Sequence, residues 1–256
     1  MSTTREDLVD GCARAQLAEL AWLDADGCPD WAVVVPFLLN GAPVVALTYD
    51  RLELARQVAS SPQAALALAT PAFLRGARAT VVSGRLRLDE DPRGQRFRER
   101  LVDQELAKNP PARRLADSLL LQREHWWYLP RLLLTFEGEQ AVHRIEAPGA
   151  VAAVAGPDGL VVAGCDLDDL GTRARIRRTL LPDGPAALLE HGGEVPELEF
   201  RWHRCLRGPL RGDELTVVER DEIGSPGERP GVLARWREQR RLERGCRRGL
   251  RAAGHV

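Results

Sequence analysis

The hydrophobic pattern changes period several times along the chain, and each change marks an element. In residues 7–23 the apolar positions Leu8, Val9, Cys12, Ala15, Leu17, Leu20 and Trp22 suit a short amphipathic helix that runs into a strand. Asp26-Gly27 then supplies a turn between two apolar runs, as a hairpin requires. Residues 31–39 (WAVVVPFLL) have the β-branched composition of a strand buried on both faces. Pro36 removes a ladder donor, which places that stretch at an edge or a bulge. Asn40-Gly41 is a second turn and residues 43–48 a third strand, so the opening is an antiparallel meander. Helical spacing returns over residues 51–60 and stops at Ser60-Ser61-Pro62. Strands follow at 64–69 and 77–88, the latter ended by Asp89-Glu90-Asp91-Pro92. Helical segments at 94–107 and 112–123 are split by Asn109-Pro110-Pro111, and a strand at 129–136 closes the unit.

The second half echoes the first. Pro62-Gln63-Ala64-Ala65-Leu66 returns as Pro185-Ala186-Ala187-Leu188, and Ser83-Gly84-Arg85-Leu86 as Arg207-Gly208-Pro209-Leu210. Val44-Val45-Ala46 matches Val161-Val162-Ala163, each ahead of a helical stretch, the second at 168–180 with Asp166, Asp168 and Asp169 as its cap and first turn. The expected fold is α+β: an antiparallel split β-barrel with flanking helices over 1–146, a shorter barrel-like repeat over 147–224, and a linker (SPGERP) with a basic C-terminal helix over 225–256. Chance likeness between apolar-Gly-Arg-Leu strands is the alternative to a true repeat.

Composition narrows the function. The 256 residues are 44% hydrophobic and 29% charged with a net charge of −1, so no global field favours nucleic acid or an anionic membrane. Lys108 is the only lysine. No leader or membrane-length apolar run is evident, and the expected compartment is the cytoplasm. Five scattered cysteines without a CxxC pair read as free thiols. The arginines of 235–251 read as a solvated or docking face. No G-x-S-x-G, P-loop, H-E-x-x-H or G-x-G-x-x-G is present. His203 and Cys205 share a strand face, but local spacing brings no third ligand, so no metal site is expected.

The order strand–DG–strand–NG–strand, then Thr48-Tyr49-Asp50-Arg51, a helix carrying Arg56, Ser61-Pro62-Gln63-Ala64-Ala65-Leu66 and Val82-Ser83-Gly84-Arg85 resembles the FMN-binding split barrels of the pyridoxamine 5′-phosphate oxidase-like superfamily. The resemblance covers residues 17–144, and the segment at 124–131 (EHWWYLPR) looks like a mark of an actinobacterial subgroup. It implies a homodimer or an intrachain pseudo-dimer that holds FMN, or the deazaflavin F420, between two barrels and acts on a small-molecule substrate as an oxidoreductase. The site residues it implies are Thr48, Tyr49, Arg51 and Arg56 around the phosphate, Trp126 or Trp127 over the ring, and Arg131. A phosphate at a strand-to-helix junction is met by guanidinium forks and by amides of the helix N-terminus. Against this, Arg51 and Arg56 read equally as the solvent face of a helix, and Trp126 and Trp127 as core filling. A basic residue of many relatives is replaced by Leu54, beside the acidic Glu53. That departure leaves haem, or a non-catalytic barrel that has lost its cofactor, as the alternative. Arg131, inside a strand, should be exposed or paired with an anion.

Overall fold

The computed structural model describes residues 2–146, 149–177, 179–195, 198, 201–224 and 231–255. Helix α1 (Ser2–Arg14) leads into β1 (Ala18–Leu23), β2 (Pro29–Val34), β3 (Pro36–Leu39) and β4 (Ala42–Leu47). A 3-10 turn at Tyr49–Arg51 opens α2 (Leu52–Ser60), followed by β5 (Ala64–Leu68), α3 (Pro71–Leu74) and β6 (Thr80–Asp91). Four short helices, α4 (Gln95–Arg100), α5 (Val102–Lys108), α6 (Arg113–Ala116) and α7 (Leu119–Glu124), precede β7 (Arg131–Arg144). The second half is β8 (Ala150–Gly156), β9 (Gly159–Asp169), β10 (Arg173–Arg177), β11 (Gly184–Gly193), β12 (Arg201–Arg211), β13 (Glu214–Thr216) and β14 (Glu219–Ile223). Helix α8 (Val232–Ala252) completes the chain. No helix among the described residues is long and apolar enough to cross a membrane.

The fold is α+β, with antiparallel sheets curled into barrels. In the first half the strand order is β2-β1-β5-β6-β7-β4-β3. Its two edge strands are consecutive in the chain and separated by Val35 alone, so the sheet wraps round until its edges meet. The run predicted as one strand is therefore two, broken beside Pro36, which starts an edge strand where its missing N–H costs nothing. Asn40 and Gly41 both take positive φ in the two-residue turn to β4, as the N-G signal requires. β6 runs on through Asp91 rather than ending at Leu88.

In the second half the order is β11-β8-β9-β10-β13-β12, and β11 also pairs with β12, which closes a six-stranded barrel. Its connectivity repeats that of the first. When β2 and β3 are taken as one bent strand, both rings read first–second–third–sixth–fifth–fourth strand. The echoes at Ala64–Leu66 and at Gly84 fall on equivalent strands, because Ala64 pairs with Gly84 as Ala186 pairs with Gly208. Two expectations need correction. Val161-Val162-Ala163 lies on β9, the equivalent of β2 and not of β4. The stretch 168–180 is no helix: its described part forms the end of β9 and β10, where RARIR alternates exposed and buried positions with period two. Asp169 caps no helix either. It accepts from Arg204 and Arg220, and the Arg220 guanidinium holds its carboxyl down at about 2. The linker SPGERP lies outside the described residues.

The barrels meet through equivalent faces. Their shared core takes Ala21, Trp31, Ala65, Ala67 and Val81 from the first and Ala153, Val162, Ala187, Leu189 and Cys205 from the second. The pairing registers match these residues one to one, in that order. Equivalent residues therefore face one another across the seam, the pattern of a two-fold contact. Trp31 Nε1 crosses it to donate to the Ala187 carbonyl at 3.0 Å. Each barrel also has its own interior, with Leu20, Trp22 and Leu66 inside the first and Ala152, Val154 and Leu188 inside the second.

Cys12, Cys165, Cys205 and Cys246 are buried free thiols, each pushed up to about 12 by desolvation. Above about pH 9 the unfolded chain loses these protons while the folded chain keeps them, so stability falls as pH rises through that window. Buried Lys108, which donates to the Cys12 and Pro36 carbonyls, is lowered to about 8 and works in the opposite sense between there and its ordinary value. Four thiols outweigh one amine. The urea midpoint should drop between pH 9 and 10.5, and alanine at both Cys165 and Cys205 should make the drop shallower. An unchanged slope in that variant would refute the assignment.

Candidate functional site

The strand-to-helix junction after β4 is the first place to look. Thr48 is half-buried and donates its hydroxyl to Asp50 Oδ1 at 2.5 Å. Tyr49 is fully buried, and its hydroxyl donates to Glu90 Oε2 at 2.9 Å. Burial and the neighbouring Glu90 carboxylate raise the Tyr49 phenol above its ordinary range. Arg51 is exposed and reaches back to the Val33 carbonyl at 3.4 Å. Arg56, one turn into α2, pairs with Glu53 at 3.1 Å. The junction therefore carries its own anion, Asp50, which takes the Thr48 hydroxyl.

A second element lies on this junction. Helix α8 packs its Gly245-x-x-x-Gly249 face against it, because glycines four apart share one side of a helix. A methyl group on Gly249 would sit 1.9 Å from the Tyr49 carbonyl oxygen, and one on Gly245 2.6 Å from Asp50 Cβ. Neither position admits a side chain without displacing the helix. The same helix reaches the aromatic segment. Arg247 stacks over Trp126, 5.1 Å from the ring centre, and Cys246 joins the cluster of Phe37, Phe97 and Trp127. The basic tail is thus partly a docked element, with Cys246 and Leu250 buried.

The sequence-predicted residues divide accordingly. Trp126 is 41% exposed, whereas Trp127 is buried in the core. Arg131 is neither exposed nor ion-paired among the described residues, which corrects the expectation. It is 1% exposed and lies between the Phe97 and Tyr128 rings, 3.7 and 4.3 Å from their centres. Two aromatic faces stabilise a desolvated guanidinium in place of a counter-anion. Arg131 also donates to the Pro130 carbonyl. α8 brings the junction and the aromatic segment to one surface, and it lies between them.

The seam between the barrels holds open space. A pocket of about 810 Å³ lies at one end, within the usual range for organic ligands. Its first-barrel wall is the β1–β2 turn and Pro29. Its second-barrel wall is Pro185 and Ala186 of β11 with Pro209 and Leu210 of β12. Arg207 crosses the seam to Asp30 at 2.5 Å and also meets Glu219 at 3.4 Å. Single-residue reasoning did not find this pocket, because its walls are strand ends brought together only by the repeat.

Sequence reasoning also missed a buried polar cluster within the seam. Glu19 of β1, Thr70 and His191 of β11 are all buried. His191 Nε2 lies 2.6 Å from Glu19 Oε1 and 2.9 Å from Thr70 Oγ1, and Thr70 donates to the same carboxylate oxygen at 2.5 Å. The Ala69 amide satisfies the other oxygen, and Phe73 stacks flat on the imidazole. His203 and Cys205 face the first barrel from β12, with the His203 imidazole lowered chiefly by burial. No three metal-ligating side chains converge among the described residues.

No family profile matches this sequence, and no curated protein matches it. Solved structures resemble the chain, three of them as follows. A heme binding protein from Mycobacterium smegmatis aligns over 96% of this chain and 98% of its own, at 14% identity and a TM-score of 0.35. HutZ, the heme storage protein from Vibrio cholerae, aligns over 56% and 90%, at 12% and 0.34. Campylobacter jejuni ChuZ aligns over 64% and 60%, at 11% and 0.38. At these identities and scores nothing about ligand or activity passes from them to this chain.

Two outcomes follow from the packing. Gly249→Ala should cost roughly 1–3 kcal/mol in urea unfolding, since the added carbon meets backbone; a neutral result would mean that α8 does not hold its place on Tyr49. Glu19→Val or His191→Ala alone should cost about 3 kcal/mol by stranding a buried partner. The positions equivalent to Glu19 and His191 across the seam are Val151 and Ala69, an apolar pair in the shared core. The double variant should therefore recover much of that loss, and strict additivity of the two costs would contradict this account.

Proposed function

We propose that the chain is a non-catalytic split-barrel binding protein, a single-chain pair of barrels that takes a cofactor-sized organic molecule in the open end of the seam. The observation that carries this reading is the seat of α8. With Gly249 against the Tyr49 carbonyl and Asp50 holding the Thr48 hydroxyl, the junction implied for a flavin phosphate is occupied by protein on one side and by a carboxylate on the other. Arg56 is paired with Glu53, and Trp127 and Arg131 are enclosed in the core. These residues do not fit the phosphate of FMN or F420. The seam pocket has the volume, and the two halves build it together.

Haem is the other group to test. Among the residues that line the pocket, Cys28 is the one side chain of a kind that serves haem iron as an axial ligand. Its thiol is raised by burial and by Asp24 and Asp26, which works against the thiolate a metal needs. The pocket therefore does not fit haem through an axial ligand either.

Full-length protein should be titrated with FMN, F420 and haemin, followed by absorbance. Two variants locate any binding: Arg51→Ala with Arg56→Ala at the junction, and Pro185→Trp to fill the seam. Saturable binding that survives the junction substitutions but not Pro185→Trp supports the reading. Binding of FMN or F420 that disappears with the two arginines would overturn it and restore the flavin oxidoreductase.

A further inference from the structure

A two-fold seam has two equivalent ends, and the pocket described above lies at one. The registers identify what closes the other. Pro29 of β2 and Pro185 of β11 face the open pocket. Their equivalents are Leu160 of β9 and Gln63, the residue before β5, since Leu23 pairs with Pro29 as Ala155 pairs with Leu160, and Ala64 corresponds to Ala186. At that end Gln63 Oε1 accepts the Leu160 amide at 2.6 Å. It also lies 2.1 Å from where a Cβ on Gly159 would stand, so the glycine makes room for the side chain. At the open end the same bond cannot form. Pro29 has no N–H to donate and Pro185 no amide to accept.

The lining of the open end is biased in charge. Four carboxylates, Asp24, Asp30, Asp183 and Glu219, face two guanidiniums, Arg207 and Arg211. Arg207 is committed to Asp30 and Glu219. Asp24 Oδ1 accepts two amides of its own turn, and Asp183 Oδ1 accepts the Gly212 amide. Those bonds fix both carboxylates in place without neutralising them. Proline, alanine and leucine make up the remaining wall. A cleft with a surplus of one sign selects the opposite sign.

Resting on the seam-binding reading, we propose that the chain has one ligand site, that Gln63 is the plug of its two-fold mate, and that the open site takes an organic cation with an apolar body, an aromatic ring system carrying a protonated nitrogen being the simplest form. Asp24 and Asp183 supply the charge preference. Pro29, Pro185 and Pro209 supply walls without N–H groups to satisfy.

Two dyes of similar size and opposite charge test this: proflavine, a flat cation, and 1-anilinonaphthalene-8-sulfonate, an anion, each titrated into the full chain by fluorescence. Proflavine should bind at one per chain, weaken about threefold to fivefold in Asp183→Asn, and be lost in Pro185→Trp. Gln63→Ala should open a second dye site without charge preference, because Gly156 and Ser61 stand there in place of Asp24 and Asp183. If the anion binds the seam as well as the cation does, the ligand class is wrong while the seam site stands. If neither dye responds to Pro185→Trp, the seam-binding reading itself fails. If Gln63→Ala leaves one site per chain, Gln63 is not the plug.

Discussion

Everything else in this molecule depends on the contact between two equivalent β-faces. Each barrel has an outward apolar face on four adjacent strands, and neither face would be tolerable in water. The residues that meet there are mostly small: Ala21, Ala65, Ala67, Ala153 and Ala187. Small side chains let two sheets approach closely, and the larger Trp31 is then held by a hydrogen bond to the opposite backbone. Both inner cores, the pocket and the seat of the polar cluster take their positions from this packing.

At the ends of the seam the departures from two-fold equivalence are chemically specific. At one pair of positions Glu19 and His191 stand where the mate has Val151 and Ala69. At another, Pro29 and Pro185 stand where the mate has Leu160 and Gln63. The middle of the seam is apolar on both sides, although the Trp31 hydrogen bond has no counterpart at Val162. The buried Glu19–Thr70–His191 cluster contributes little net stability for its charge, since desolvation offsets most of the attraction. What it adds is a directional contact that an alanine-rich surface lacks.

Much of this fold is legible in the amino-acid order. The D-G and N-G turns, the break at Pro36 and the two echoed strand starts all locate real elements, because turn chemistry and strand period act over a few residues. At 168–180 the acidic start imitates a helix cap, but the RARIR alternation that follows sets the strand. Arg131 was misjudged for another reason: its partners, Phe97 and Tyr128, are aromatic and not anionic, and no local spacing brings them to it. The seat of α8 on Tyr49 is the least legible feature. It joins residues about two hundred positions apart through two glycines, whose function is to be absent as side chains. The pocket is likewise a product of the seam and of no motif.

Building a two-fold contact inside one chain also changes what a point mutation does. In a homodimer every substitution is made twice, once on each side of the axis, so a residue that blocks one end blocks both. Here a codon change is felt at one end alone. A glutamine at the first copy can close its end while a proline at the second keeps the other open. Within one chain, two surfaces that symmetry would otherwise force to be identical are free to differ.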